Sequence, residues 1–297
     1  MTQFAILFPG QGSQSVGMLS DLPEKFSRVK NIFDNASSIL GYDLWDLVQN
    51  GPAEKLDQTE LTQPALLAAD VAVFEYWKLT HTETPMFLAG HSLGEYAALV
   101  CAEAIQFEDA IALVAARGKF MQEAVPAGFG AMAAIIGLAD QDVVAICNSA
   151  SSAGMVSPAN FNSIGQIVIA GENKAVEKAI ALAQEKGAKI AKKIPVSVPS
   201  HCALMQNAAD KMAEKLKSVA IKKPLIPVIH NVDVMSYDAP EKICDALIRQ
   251  LISPVRWVET IQFMINHHVK TFYECGPGKV LSGLNKRISK EIVSESI

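Results

Sequence analysis

The stretch Gly90-His91-Ser92-Leu93-Gly94 decides how the rest of this chain is read. An apolar run, residues 86–89, precedes it, and a helix-forming run, residues 95–101, follows. Strand, sharp turn and helix, with glycines on both sides of a serine, form the G-x-S-x-G nucleophile elbow. The glycines answer a steric need, because the turn is too tight for side chains beside the serine. Ser92 then stands at a helix N-terminus, where free backbone N–H groups and the helix dipole favour negative charge. Acyl transfer needs that polarity when an oxyanion develops. The competing reading is a glycine-bounded loop whose serine only caps the next helix.

Outward from the elbow, strands and helices alternate. Residues 4–8 are continuously apolar, as in a strand buried on both faces. Helical periodicity covers residues 25–40, 64–79 and 107–121. This alternation predicts a mostly parallel sheet covered by helices. A different rhythm starts after Pro126. Strands are read at 131–136, 155–160, 166–170 and 189–198, with helices at 141–149 and 174–185. The order β-α-β-β-α-β is the split βαβ unit of ferredoxin-like folds. The expected fold is α/β: a large lobe, residues 1–125 and 199–297, carrying an inserted small lobe, residues 126–198. Beyond the insertion, helices are read at 203–219, 240–251 and 277–288, and strands at 226–230 and 269–273.

With 297 residues, half of them apolar, the chain can bury a core of that size. Charged residues are 19% and the net charge is −5, which leaves no basic footprint for nucleic acid. The five cysteines are dispersed with no C-x-x-C pair, so they read as reduced thiols rather than a disulfide frame or metal site. No basic region precedes the first strand, which speaks against a secretory signal. No apolar run approaches the ~18 residues of a membrane span. A cytoplasmic protein without membrane or nucleic-acid contacts is the expectation.

A serine nucleophile needs a base. His91 adjoins Ser92, but consecutive side chains diverge at a sharp turn. His267 and His268 follow Met264 as a solvated helix end, His81 sits in a polar loop, and His230 ends a buried strand as a core histidine. His201 differs, since it lies where the chain re-enters the large lobe and borders the cleft between lobes. No acid completes a triad. Asp109, Asp140 and Asp142 lie between Ser92 and His201 without distinctive settings, and two of them read as helix caps. A backbone carbonyl is the other way to hold the imidazole tautomer.

The loop Pro9-Gly10-Gln11-Gly12-Ser13-Gln14 imitates a dinucleotide fingerprint, but Ser15 stands where its third glycine belongs. At the end of a strand, such a loop can instead present an N–H to the oxyanion that Leu93 N–H would serve. Arg117 flanks the apolar stripe of its helix, and two readings stand. One is a snorkelling arginine; the other is a guanidinium facing a pocket, ready for two-pronged binding of a carboxylate.

Several groups together resemble the malonyl-CoA:acyl carrier protein transacylases of fatty acid synthesis. They are residues 8–14, Gln63-Pro64-Ala65, residues 90–95, Arg117-Gly118, residues 160–171, residues 197–201 and Gly276-Pro277-Gly278, in the family's order along the whole chain. The resemblance implies an α/β-hydrolase-like lobe with a ferredoxin-like one. It makes Ser92 the nucleophile, His201 its base, Gln11 and Leu93 the oxyanion donors, and Arg117 the clamp on the malonyl carboxylate. It further implies that the Gln250 backbone carbonyl steadies the imidazole, and that Gln63, Asn162 and His91 contact substrate. Ser200 departs from the phenylalanine that accompanies malonyl selection in related modular synthases, so methyl-branched units stay open beside malonyl. The implied partners are malonyl-CoA and acyl carrier protein, with no cofactor or metal, CoA and phosphopantetheine being substrate carriers, and with a monomeric chain. Basic residues at 189, 192, 193, 279, 286 and 287 are candidates for a rim facing an acidic carrier. The rival readings are a serine thioesterase or esterase, and a non-catalytic module that docks carrier protein.

Overall fold

The computed structural model describes residues 3–196 and 198–297. Met1 and Thr2, and Ser197 at the start of the 197–201 motif, lie outside the described residues.

Strand β1 (Phe4–Phe8) is apolar throughout because it is central in its sheet and covered on both faces. Its alternate side chains sort into two cores. Ile6 and Phe8 join a cluster with the helices Arg28–Leu40, Thr59–Trp77 and Phe107–Ala124. Ala5 and Leu7 face Trp257, Ile261 and Leu284, from the helices Trp257–Asn266 and Val280–Ile288. The neighbouring strands are β2 (Phe87–Gly90) and β8 (Thr271–Glu274), both parallel to β1; β7 (Val228–Ile229) and β9 (Val293–Ser296) complete the order β7-β2-β1-β8-β9 among the described residues.

The second sheet is antiparallel, with β3 (Gly130–Ile136), β4 (Val156–Ser163), β5 (Gln166–Glu172) and β6 (Ile190–Lys193) in the order β4-β5-β3-β6. Its period-2 pattern also separates two faces. Ala133, Ile135, Ile167 and Ile169 pack on the helices Asp140–Ala150 and Asn173–Glu185. Met132, Val168 and Ala170 turn the other way, onto Cys202 at the joint with the large lobe. The lobes are also stitched by backbone: Phe161 N–H donates to the Val255 carbonyl and Val255 N–H to the Ala159 carbonyl, both at 2.9 Å.

Several expected elements change. The strand read over 189–198 ends at Lys193, because Pro195 brings no N–H to a ladder. The strand read over 226–230 shrinks to two residues behind Pro227. The helix read over 25–40 breaks at Phe26, giving Leu22–Lys25 and Arg28–Leu40. Asp109, Asp140 and Asp142 are not caps: they lie inside first turns, and the residues at the cap positions, Gln106 and Ala139, make no side-chain cap bond. The helix Leu44–Asn50, capped by Asp43, and strand β9 have no counterpart in the sequence reading. Among the described residues, no helix is long and apolar enough to cross a membrane.

Candidate active site

The elbow is built as the steric argument requires. A Cβ on Gly90 would lie 1.8 Å from the Gly94 carbonyl carbon, and one on Gly94 only 2.1 Å from the Phe8 oxygen. Between them Ser92 takes a left-handed backbone, φ +53°. An amide side chain braces this turn from behind. Asn231 Oδ1 accepts from Ser92 N–H at 2.8 Å, and Asn231 Nδ2 donates to the Gly90 carbonyl at 2.7 Å.

His201 reaches the same point from the other side of the cleft. It too has a left-handed backbone, φ +61°, and is 3% exposed. Its Nε2 lies 2.8 Å from Ser92 Oγ, and its Nδ1 lies 2.8 Å from the Gln250 carbonyl oxygen. A carbonyl can only accept, so the proton sits on Nδ1 and the Nε2 lone pair faces the serine hydroxyl. Burial, reinforced by the Arg117 charge, pushes the His201 pKa down to about 3. The ring is therefore neutral, the form a base requires.

Arg117 is 1% exposed and lies beneath the serine, so the pocket-facing reading matches its position. Its Nη1 donates to Gln63 Oε1 at 2.7 Å; its Nη2 donates to Gln250 Oε1 at 2.9 Å and to Ser92 Oγ at 3.2 Å. Tyr96 lies beneath the guanidinium, 5.4 Å from ring centroid to Cζ. Nε has no partner among the described residues. Burial lowers the pKa of this group, while Tyr96 and Glu95 oppose that shift.

A cavity of about 180 Å³ joins these groups, bordered by Gln11, Gln63, Ser92, Leu93, Arg117 and His201. No acceptor for the Gln11 or Leu93 backbone N–H occurs among the described residues, which leaves both amides available. The Gln11 side chain turns away, accepting from Thr59 Oγ1 at 2.7 Å. His91 and Asn162 also border the cavity, paired with each other through His91 Nε2 and Asn162 Oδ1 at 2.8 Å. His91 has no hydrogen bond to Ser92 Oγ among the described residues, in keeping with diverging side chains at a sharp turn. A larger hollow of about 540 Å³ lies elsewhere, between Phe4, Trp77, His81 and Tyr273, and contains none of these groups. Of the candidate basic rim, Lys193 is paired with Glu177 and Arg287 donates to Gln166.

Three polar side chains behind the cavity escaped the sequence reading. Glu95 and Asn231 are fully buried, and so is the Gln250 side chain, whose backbone alone had been assigned a task. Glu95 Oε2 accepts from Asn231 N–H and Gln250 Nε2, both at 2.9 Å, while Oε1 lies 2.7 Å from His230 Nδ1. A carboxylate directly ahead of the apolar run Tyr96-Ala97-Ala98-Leu99 is the one available signal.

The acyl transferase domain family matches residues 5–293. The malonyl CoA-acyl carrier protein transacylase of Escherichia coli K12 is 54% identical over 297 residues, all of this chain and 96% of that protein. That of Bacillus subtilis is 48% identical over 98% of this chain and 92% of its own length. Among solved structures, the transacylase of Coxiella burnetii superposes with a TM-score of 0.98 at 54% identity, covering 99% of this chain and 93% of the other. A malonyl-transacylase in complex with a type II PKS acyl-carrier protein superposes equally well, TM-score 0.98, at 52% identity, over all of this chain and 96% of the other.

Proposed function

The chain belongs to the acyl transferase family, and from that premise we propose that it moves malonyl groups from malonyl-CoA to acyl carrier protein through an ester on Ser92. The observation that carries the route is the continuous line from Ser92 Oγ to His201 Nε2 and from His201 Nδ1 to the Gln250 carbonyl, each step 2.8 Å. His201 takes the serine proton as Oγ attacks the thioester carbonyl. The developing oxyanion rests on the Gln11 and Leu93 amides. The tetrahedral intermediate collapses, the C–S bond breaks, and the proton returns to the departing CoA thiolate. The phosphopantetheine thiol then gives its proton to His201 and attacks the malonyl ester, and Ser92 recovers its proton as it leaves.

Arg117 supplies selectivity in this reading. A malonyl carboxylate takes two N–H groups of the guanidinium, whereas an acetyl group brings it no charge. Gln63 holds the guanidinium from the far side, and His91 with Asn162 contacts the acyl chain or its carrier arm. CoA and phosphopantetheine carry substrate, and the steps above use protein groups alone. We assign the reaction to a monomer in the cytoplasm, where its free thiols stay reduced. Residues 126–198 act as the small domain that closes the cleft over residues 1–125 and 199–297.

Intact-protein mass spectrometry after mixing with malonyl-CoA tests the route. The expected result is one added malonyl group, absent in Ser92→Ala and cleared by carrier-protein thiol. Rapid spontaneous loss to water would assign the chain to the thioesterases. Carrier-protein binding that is the same in the parent and in Ser92→Ala, with no malonyl group added to either, would leave only a docking module.

A further inference from the structure

Arg117 is a buried cation without an ion pair among the described residues. Its three acceptors, Gln63 Oε1, Gln250 Oε1 and Ser92 Oγ, are neutral. The Gln250 amide, however, is oriented end to end between two charges. Its oxygen faces Arg117, and its NH₂ group donates to Glu95 Oε2 at 2.9 Å and to the Ser92 carbonyl at 3.0 Å. Both partners of the NH₂ group are acceptors, so the amide cannot be reversed without facing donor to donor. A dipole held this way lowers the energy of the cation at one end and the anion at the other.

His230 meets the same carboxylate through its other oxygen, Nδ1 to Oε1 at 2.7 Å, which leaves Oε2 to the Asn231 and Gln250 donors. The ring is fully buried, and its Nε2 has no partner among the described residues.

We infer that Glu95 is the resident counter-charge of Arg117, coupled to it through the Gln250 side-chain amide, and so a positioning residue for the substrate carboxylate. It keeps Arg117 charged and in place when the pocket is empty. It also competes, at a distance, with the carboxylate that arrives. The same carboxylate receives Asn231 N–H, and Asn231 in turn braces Ser92, so clamp and nucleophile share one anchor. The inference rests on the reading of Arg117 as the carboxylate clamp.

Glu95→Gln tests it, because glutamine keeps the shape and one acceptor for the Asn231 and Gln250 donors while removing the charge. Free malonate is the probe, measured by calorimetry. With charges separated by little more than one amide at an effective dielectric of ~20, affinity for malonate should rise about tenfold. The KM for malonyl-CoA should fall with it, while that for acetyl-CoA stays within about twofold. A packing role predicts equal weakening of both thioesters, and that result, or unchanged malonate affinity, overturns the inference.

Chemical denaturation of Glu95→Gln, Arg117→Met and the double variant supplies a second readout without substrate. Removing one partner of a buried charge pair costs more than removing both. Glu95→Gln should therefore destabilise the parent yet cost nothing, or stabilise, in the Arg117→Met background. Equal cost in both backgrounds refutes the pairing. If Glu95→Gln alone does not fold, recovery of folding in the double variant is the expected result, and its failure is equally decisive against the inference. An Arg117 variant that keeps its malonyl preference would end the clamp reading, and the denaturation cycle would still report the pairing.

Discussion

Replacing Arg117 by alanine should separate two substrates that differ by one carboxylate. In the free protein the guanidinium spends Nη1 and Nη2 on Gln63, Gln250 and Ser92 and keeps Nε unpartnered among the described residues. A malonyl carboxylate can add two charge-assisted bonds, each ~1.5–3 kcal/mol. Part of that is offset by the neutral acceptor a rearranging Nη gives up. Truncating one partner of a desolvated charged pair costs ~2–5 kcal/mol. Taking ~3–4 kcal/mol, at ~1.4 kcal/mol per decade, kcat/KM for malonyl-CoA should fall about 10²- to 10³-fold. Acetyl-CoA forms no such pair. Its loss is confined to the neutral bonds of Arg117, to Ser92 Oγ at 3.2 Å and to the Gln63 and Gln250 amides, so its kcat/KM should stay within about tenfold of the parent. The assay is the initial rate of acyl transfer to carrier-protein thiol from each thioester. Parallel losses for the two substrates would refute the clamp, however large they were.

The pH dependence of Ser92 acylation should lack an acid limb near 6.5, because His201 is held neutral down to about 3 by burial and the Arg117 charge; a limb at the ordinary value would contradict this. The same shift sets a stability slope. The unfolded chain takes up the His201 proton first as pH falls below 6.5, so folding loses free energy between there and about 3, and His201→Gln should flatten that part of a denaturation series. Gly94→Ala should destabilise by ~3 kcal/mol or more, since its Cβ meets the Phe8 oxygen at 2.1 Å and backbone must move. Gly283→Ala, in a helix with nothing near its Cβ, should gain ~0.5–1 kcal/mol in the same melts.

Local chemistry was legible in the sequence and long-range chemistry was not. The elbow announces itself because strand, glycines, serine and helix are contiguous, and β1 because a strand covered on both faces has no polar position. His201 could be singled out from its place at a lobe joint. The missing triad acid had a physical reason: a backbone carbonyl holds Nδ1, and every residue owns a carbonyl. Only the family resemblance pointed to Gln250, and it pointed to the main chain alone. Glu95, Asn231 and the Gln250 amide meet across more than 130 positions, where neither periodicity nor spacing carries information. For the same reason Arg117 had two readings until its partners on other helices were in view. Strand ends failed more simply, at Pro195 and Pro227, where ladder donors stop.

Ser92 and His201 both hold a backbone twist that L side chains adopt reluctantly, at φ +53° and +61°. Glycine would relieve each residue of ~1–2 kcal/mol of crowding. At both positions the local backbone favours glycine, a residue that can do none of the chemistry. What keeps an imidazole and a hydroxyl at those two sites is demand for turnover, exerted against the polypeptide's own comfort.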